Sequence, residues 1–188
     1  MHLYATPFID LAAVEAQMER AVAIYAPVGI VPRFRLTRDV RLDLDGDGTN
    51  ALVGLSLAAR WPWHSGFARF RAVRRWMRDT TRGQRSVVFY LFGLERRAGD
   101  PEFAITGGPT GSMRVSWISA FGSRAPYKRT LAHELGHQWG QRYHSLGPDN
   151  LMSAAARADG TLSERLSSTQ ARLRFTAVPR GPEDDGVA

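Results

Sequence analysis

Five consecutive residues, His133-Glu134-Leu135-Gly136-His137, restrict this chain more than any other stretch. On a helix, positions i and i+4 share a face, so the two imidazoles can reach the same point in space. Glu134 stands one step round that helix, beside the point but not on it. Arg129-Thr130-Leu131-Ala132 before the segment and Gln138-Trp139 after it are compatible with a helix, and Gly140 is a natural stop. The spacing therefore predicts a helix from Thr130 to Gly140. Two imidazoles so placed suit a zinc ion, which takes histidine nitrogen at about 2.0–2.1 Å. A carboxylate next to them can take a proton from a water acidified by the ion. The plainer alternative is a surface helix with two histidines. The carboxylate between them argues for chemistry, since a structural site has no need of a base.

The rest of the chain can fold without such an ion. With 188 residues, 44% of them hydrophobic, it has enough apolar material for its own core, so a metal here would be functional. No cysteine is present, which excludes disulfides, thiolate zinc ligands and cysteine nucleophiles. The formal charge is +7, nearly all of it from arginine, with Lys128 the only lysine. These charges spread along the chain rather than forming one block, so a dedicated nucleic-acid surface is not expected. No apolar run approaches the length of a membrane span. The segment from Met1 to Pro7 lacks the basic-then-apolar pattern of a secretory leader.

Periodicity places the other elements. Leu11 to Tyr25 reads as an amphipathic helix, capped by Asp10 and stopped by Pro27 and Gly29. Phe34 to Leu44 alternates and reads as a half-buried strand or hairpin. Ala51 to Ala59 reads as a buried apolar segment. Phe67, Phe70, Val73 and Met77 recur at helical spacing beneath an arginine-rich outer face. Ser86 to Phe92 is β-rich without alternation, as in a central strand covered on both faces. Phe103–Thr106 and Met113–Ser119 read as two more strands, and Leu162 to Thr176 as a last amphipathic helix. Asp43, Asp45 and Asp47 precede glycine in a way that resembles the start of a calcium loop. The twelfth position is Gly54 rather than Glu, so an EF-hand is rejected; a looser calcium site and a solvated Asp-Gly turn both remain.

From His133 to Gly140 the chain resembles the metzincin metalloproteases, whose motif is H-E-x-x-H-x-x-G-x-x-H followed by a methionine-containing turn. His133, Glu134, His137 and Gly140 fall at matching positions. Asp149-Asn150-Leu151-Met152-Ser153 is similar to the methionine turn, and the specific match covers about residues 128 to 153. The resemblance implies an α+β fold: a small twisted mixed sheet, two N-terminal helices, the active-site helix, the Met-turn and a C-terminal helix. It implies one catalytic domain over 1–178, with an upper subdomain over about 1–140, a lower one over about 141–178, and a disordered tail over 179–188. It further implies a zinc-dependent endopeptidase with Glu134 as general base, a protein or peptide substrate, and a secreted or extracytoplasmic setting. In the family, Gly140 turns the chain towards a third ligand, Met152 forms an apolar floor under the metal, and an edge strand holds extended substrate.

The third ligand is where this sequence departs from the pattern. The family position falls on Tyr143, and the histidine comes one residue later, at His144. Neutral tyrosine, with a pKa near 10, is a poor zinc ligand at pH 7, so zinc's preferences favour His144. A carboxylate third ligand, as in another peptidase clan, would fall on Glu164; its simpler reading is a first-turn residue of the last helix. The rival of a different class is a basic nucleic-acid-binding domain with a vestigial zinc motif.

Overall fold

The computed structural model describes residues 1–97, 100–101, 103–106, 114–124, 127–141, 144–145, 147–153 and 163–167. Three strands dominate the hydrogen-bonding: β1 (His2–Ala5), β3 (Val87–Leu91) and β7 (Val115–Ser119), paired in parallel with β3 in the middle. Two short strands complete this sheet, β2 (Arg35–Thr37) parallel to β1 and β6 (Ala104–Thr106) antiparallel to β7. The order is β2-β1-β3-β7-β6, a mixed five-stranded sheet with β6 at one edge. A separate small ribbon pairs β4 (Glu95–Arg97) with β5 (Asp100–Pro101).

All five residues of β3 are buried, because helices cover both faces of the sheet. Alternate side chains serve two cores. Val88 and Tyr90, with Leu3, Ala5 and Ile118, meet α1 (Leu11–Tyr25) and α4 (Thr130–Gln138). Val87, Phe89 and Leu91, with Val115 and Trp117, meet Phe70, Val73 and Met77 of α2 (Phe67–Thr80). The expected buried segment after Ala51 contributes Leu52, Leu55 and Leu57 to this second core. The short α3 (Ala120–Ser123) follows β7 directly, capped by Ser119.

Helices α1, α2 and α4 lie where periodicity puts them. α1 spans the expected residues, and the Asp10 carboxylate accepts from the Ala13 amide. The strands differ more. Phe34–Leu44 forms only the three residues of β2; Asp39 then turns with φ 51°, and Val40 donates to the Ala5 carbonyl instead of extending a hairpin. β1 was not expected at all. Its four residues are too few to show a period, and only the parallel pairing on both sides makes them a strand.

The expected C-terminal helix is corrected where it is described. Residues 163–167 are not helical: the Arg165 carbonyl accepts from the Leu151 amide, and the Ser163 hydroxyl takes the Arg165 amide. Both groups are thereby withdrawn from a helical ladder. The remainder of that helix, Leu162 and 168–176, lies outside the described residues, as does the tail over 179–188.

Gln17 on α1 ties the first core to the strand ends. Its amide donates to the Gly122 and Tyr127 carbonyls at 2.8 and 3.0 Å and accepts from the Tyr90 hydroxyl at 2.9 Å, all in a fully buried position. Replacing Gln17 with leucine would leave two carbonyls and a hydroxyl without those partners. We expect Gln17→Leu to cost about 2–4 kcal/mol, read as a lower urea midpoint at unchanged slope.

Candidate metal centre

The site grows from the end of α4. Gly140, at φ 110°, closes the helix: the Gln141 amide donates to the Gly136 carbonyl and the Gly140 amide to that of His137. This is the Schellman arrangement, which satisfies carbonyls that a helix end leaves bare. The same turn serves the site, because the Gln141 carbonyl lies 2.6 Å from His137 Nδ1. His133 Nδ1 lies 2.7 Å from the Leu151 carbonyl. With Nδ1–H donating to a carbonyl, each ring presents the bare lone pair of Nε2 on its other side.

Those lone pairs converge. The Nε2 atoms of His133, His137 and His144 form a triangle with 3.2 Å on every side. Three nitrogens bound tetrahedrally to one ion at 2.0–2.1 Å stand roughly 3.3–3.4 Å apart, so the triangle fits zinc. Without a cation between them, the lone pairs of His133 and His137 would oppose each other. Burial also keeps these rings neutral, as ligands must be: desolvation takes His133 down to about 3 and lowers His137 as well. Among the described residues, these three histidines are the one group of His, Cys, Asp or Glu close enough to share an ion. His64 instead accepts from the Gly66 amide, and His2 lies on β1.

The turn that carries Met152 packs against α4. Met152 is fully buried, and a Cβ added to Gly136 would collide with its sulfur. Gly136 is thus the gap in the helix into which Met152 fits. Arg129, buried at the start of α4, donates to the Leu151 and Ser153 carbonyls; desolvation lowers its guanidinium only to about 10, so it stays charged. The Ser145 amide donates to the Met152 carbonyl, which joins the segment carrying His144 to the same turn.

Glu134 is 4% exposed and lies towards the sheet edge, where the Thr106 hydroxyl donates to its Oε2. A directed chain of hydrogen bonds stands behind that contact. Ser86 donates to Gln138 Oε1, and Gln138 Nε2 donates to Ser116 Oγ at 2.7 Å. Ser116 therefore has its own proton to give to Thr106 Oγ1, 2.6 Å away, leaving the Thr106 proton for Glu134. Sequence reasoning missed Thr106 and Gln138. A threonine in a three-residue edge strand carries no motif; Gln138, next to the second histidine, could have been marked as a buried polar residue on a core-facing helix.

Other sequence candidates are not brought to the site. The Glu164 carboxylate is engaged by the Arg20 guanidinium and is not in the histidine group, and its segment is not the first turn of a helix. Tyr143 lies outside the described residues. The calcium expectation finds no support at Asp43: Oδ1 accepts from the Asp45 and Gly46 amides and Oδ2 from Gly48. Asp47 likewise accepts from Thr49, so the loop is an Asp-Gly turn closed on its own backbone. The backbone donors hold the Asp43 carboxyl below the usual range.

No protein-family model and no curated protein matches the chain. Among solved structures it is similar to a zinc-dependent peptidase from Methanocorpusculum labreanum, with a TM-score of 0.55 over 93% of this chain and 98% of that one. At 12% identity the likeness establishes a shared fold.

Two outcomes follow from this packing. Gly136→Ala should lower the melting temperature and the zinc content, and adding Met152→Ala should restore part of both; equal losses in either background would separate Gly136 from Met152. In metal-free protein, His133 and His137 resist protonation while the unfolded chain takes protons near pH 6.5. The unfolded state then binds more protons, so stability should fall as pH drops from about 7 to 4, and His133→Gln should flatten the fall in urea titrations.

Proposed function

We propose that this protein is a zinc-dependent endopeptidase of metzincin-like design. The observation that carries this reading is the Nε2 triangle of His133, His137 and His144, with the buried Glu134 next to His133 on the same helix. Similarity in fold to a zinc-dependent peptidase supports it. His133, His137 and His144 hold the ion in this reading. Bound there, zinc supplies a Lewis acid that acidifies water and polarises a peptide carbonyl.

The residues of the chain do the rest. Thr106 anchors Glu134 through Oε2, and Oε1 takes the proton of the attacking water and returns it to the leaving amine. Met152, packed into the gap at Gly136, forms an apolar floor under the metal in this reading. Edge strand β6 offers its outer side to an extended substrate, which can add to the sheet as a further strand. That pairing positions an internal peptide bond, hence an endopeptidase.

Glu134→Gln should lower casein cleavage by about 10²–10⁴-fold with zinc retained. His144→Ala should lose zinc and Glu164→Ala should keep it, measured by atomic absorption after dialysis. Chelation should abolish cleavage and added zinc restore it. Full activity in the Glu134→Gln protein would overturn the reading.

A further inference from the structure

Resting on the peptidase reading, we infer that the cleft beside His144 selects substrates through an acidic side chain. The cleft has a volume of ≈ 460 Å³, and its lining includes Arg60, Arg96, Arg97, Trp61, Ile105 and His144. It therefore joins the histidine triangle to the edge strand. Among the described residues, none that lines it is acidic.

The arginines come together by backbone design. Arg60 ends the 3₁₀ turn Leu57–Arg60, and Arg96 and Arg97 lie on β4. The Glu95 amide donates to the Leu55 carbonyl at 3.0 Å, and Ser56 bridges to Glu95, so the turn and β4 are fixed side by side. The Arg60 guanidinium sits 5.0 Å from the Trp61 ring centroid, where the aromatic face steadies a cation. The lining of the cleft carries positive charge and, among the described residues, no negative charge, which favours a carboxylate able to take charge-assisted hydrogen bonds. A peptide paired to β6 turns alternate side chains to the same face of the sheet, which gives one of them access to the cleft.

Trp61 and Trp63 are exposed and stacked, with centroids 5.2 Å apart, as aromatics in a single-strand nucleic-acid site can be. The pair already covers one face of each ring, whereas the cleft opens on the histidines and the strand edge. Those neighbours favour a peptide.

The test uses zinc-loaded protein and fluorogenic peptides that differ only by Glu, Gln or Lys at successive positions around the scissile bond. At one position, Glu should exceed Gln in kcat/KM by about two- to fivefold, as ionic contacts to exposed arginines give. The Glu/Gln ratio should fall to near one in the Arg60→Gln/Arg96→Gln/Arg97→Gln protein. Arg97→Glu should shift the preference towards Lys, with melting temperature and zinc content checking the fold. Equal cleavage of Glu and Gln peptides, or a preference that survives the triple substitution, overturns the inference. A binding measurement separates this failure from that of the peptidase reading. Labelled Glu and Gln peptides are titrated onto zinc-loaded Glu134→Gln protein by fluorescence anisotropy. Acid-selective binding lost in the triple variant upholds the inference even if no peptide is cleaved. Indifference to charge, or displacement by oligodeoxythymidylate that binds more tightly through the same arginines, overturns it.

Discussion

One carbonyl oxygen, that of Leu151, joins the parts of the candidate centre. It lies 2.7 Å from His133 Nδ1 and also accepts from the buried Arg129 guanidinium. A carbonyl has two lone pairs, and both are engaged here, by the N-cap residue of α4 and by a residue four positions further along. The first contact fixes a ring; the second brings a permanent charge into the interior to hold a loop. A buried cation is costly unless it is bonded, and the two carbonyls it takes belong to the residues on either side of Met152. The segment Leu151–Ser153 is therefore fastened to the helix at both its shoulders, and Met152 between them is pressed into the gap at Gly136.

Much of this was legible in the sequence, for physical reasons that differ by element. The helices announce themselves because a repeated apolar face persists over three or four turns, as in Leu11–Tyr25. The i, i+4 geometry of His133 and His137 is a property of any helix, so their convergence needed no tertiary knowledge. His144 could be favoured from zinc's ligand preferences, but its place in the triangle depends on the loop that follows Gly140. The missed features are tertiary. β1 exists because β2 and β3 flank it, and Ser163–Ser167 leaves the helical ladder because Leu151 and Ser163 claim its groups. The Asp43 loop resembled a cation site since carboxylate spacing alone does not tell whether the oxygens face outwards or towards their own amides.

The two cores divide the work of the fold. One unites α1 and α4 against the sheet and supports the histidine helix; the other seats α2 and the apolar segment after Ala51, from which the arginine-lined cleft is built. Strand β3 belongs to both, since successive side chains point to opposite faces. A change in its packing is felt on the metal side and on the cleft side together.

The hydrogen-bond chain from Ser86 through Gln138, Ser116 and Thr106 to Glu134 has a consequence beyond holding side chains still. Its sense is set at the amide of Gln138, whose Nε2 also donates to the Val87 carbonyl, a group that only accepts, so the amide cannot flip without losing that bond. The hydroxyl dipoles beyond it are thus aligned head to tail, and each polarises the next. The carboxylate at the end sits at the positive pole of a short wire of oriented bonds that begins at the base of the central strand. A serine remote from the cleft thereby contributes to the field at the Glu134 carboxylate.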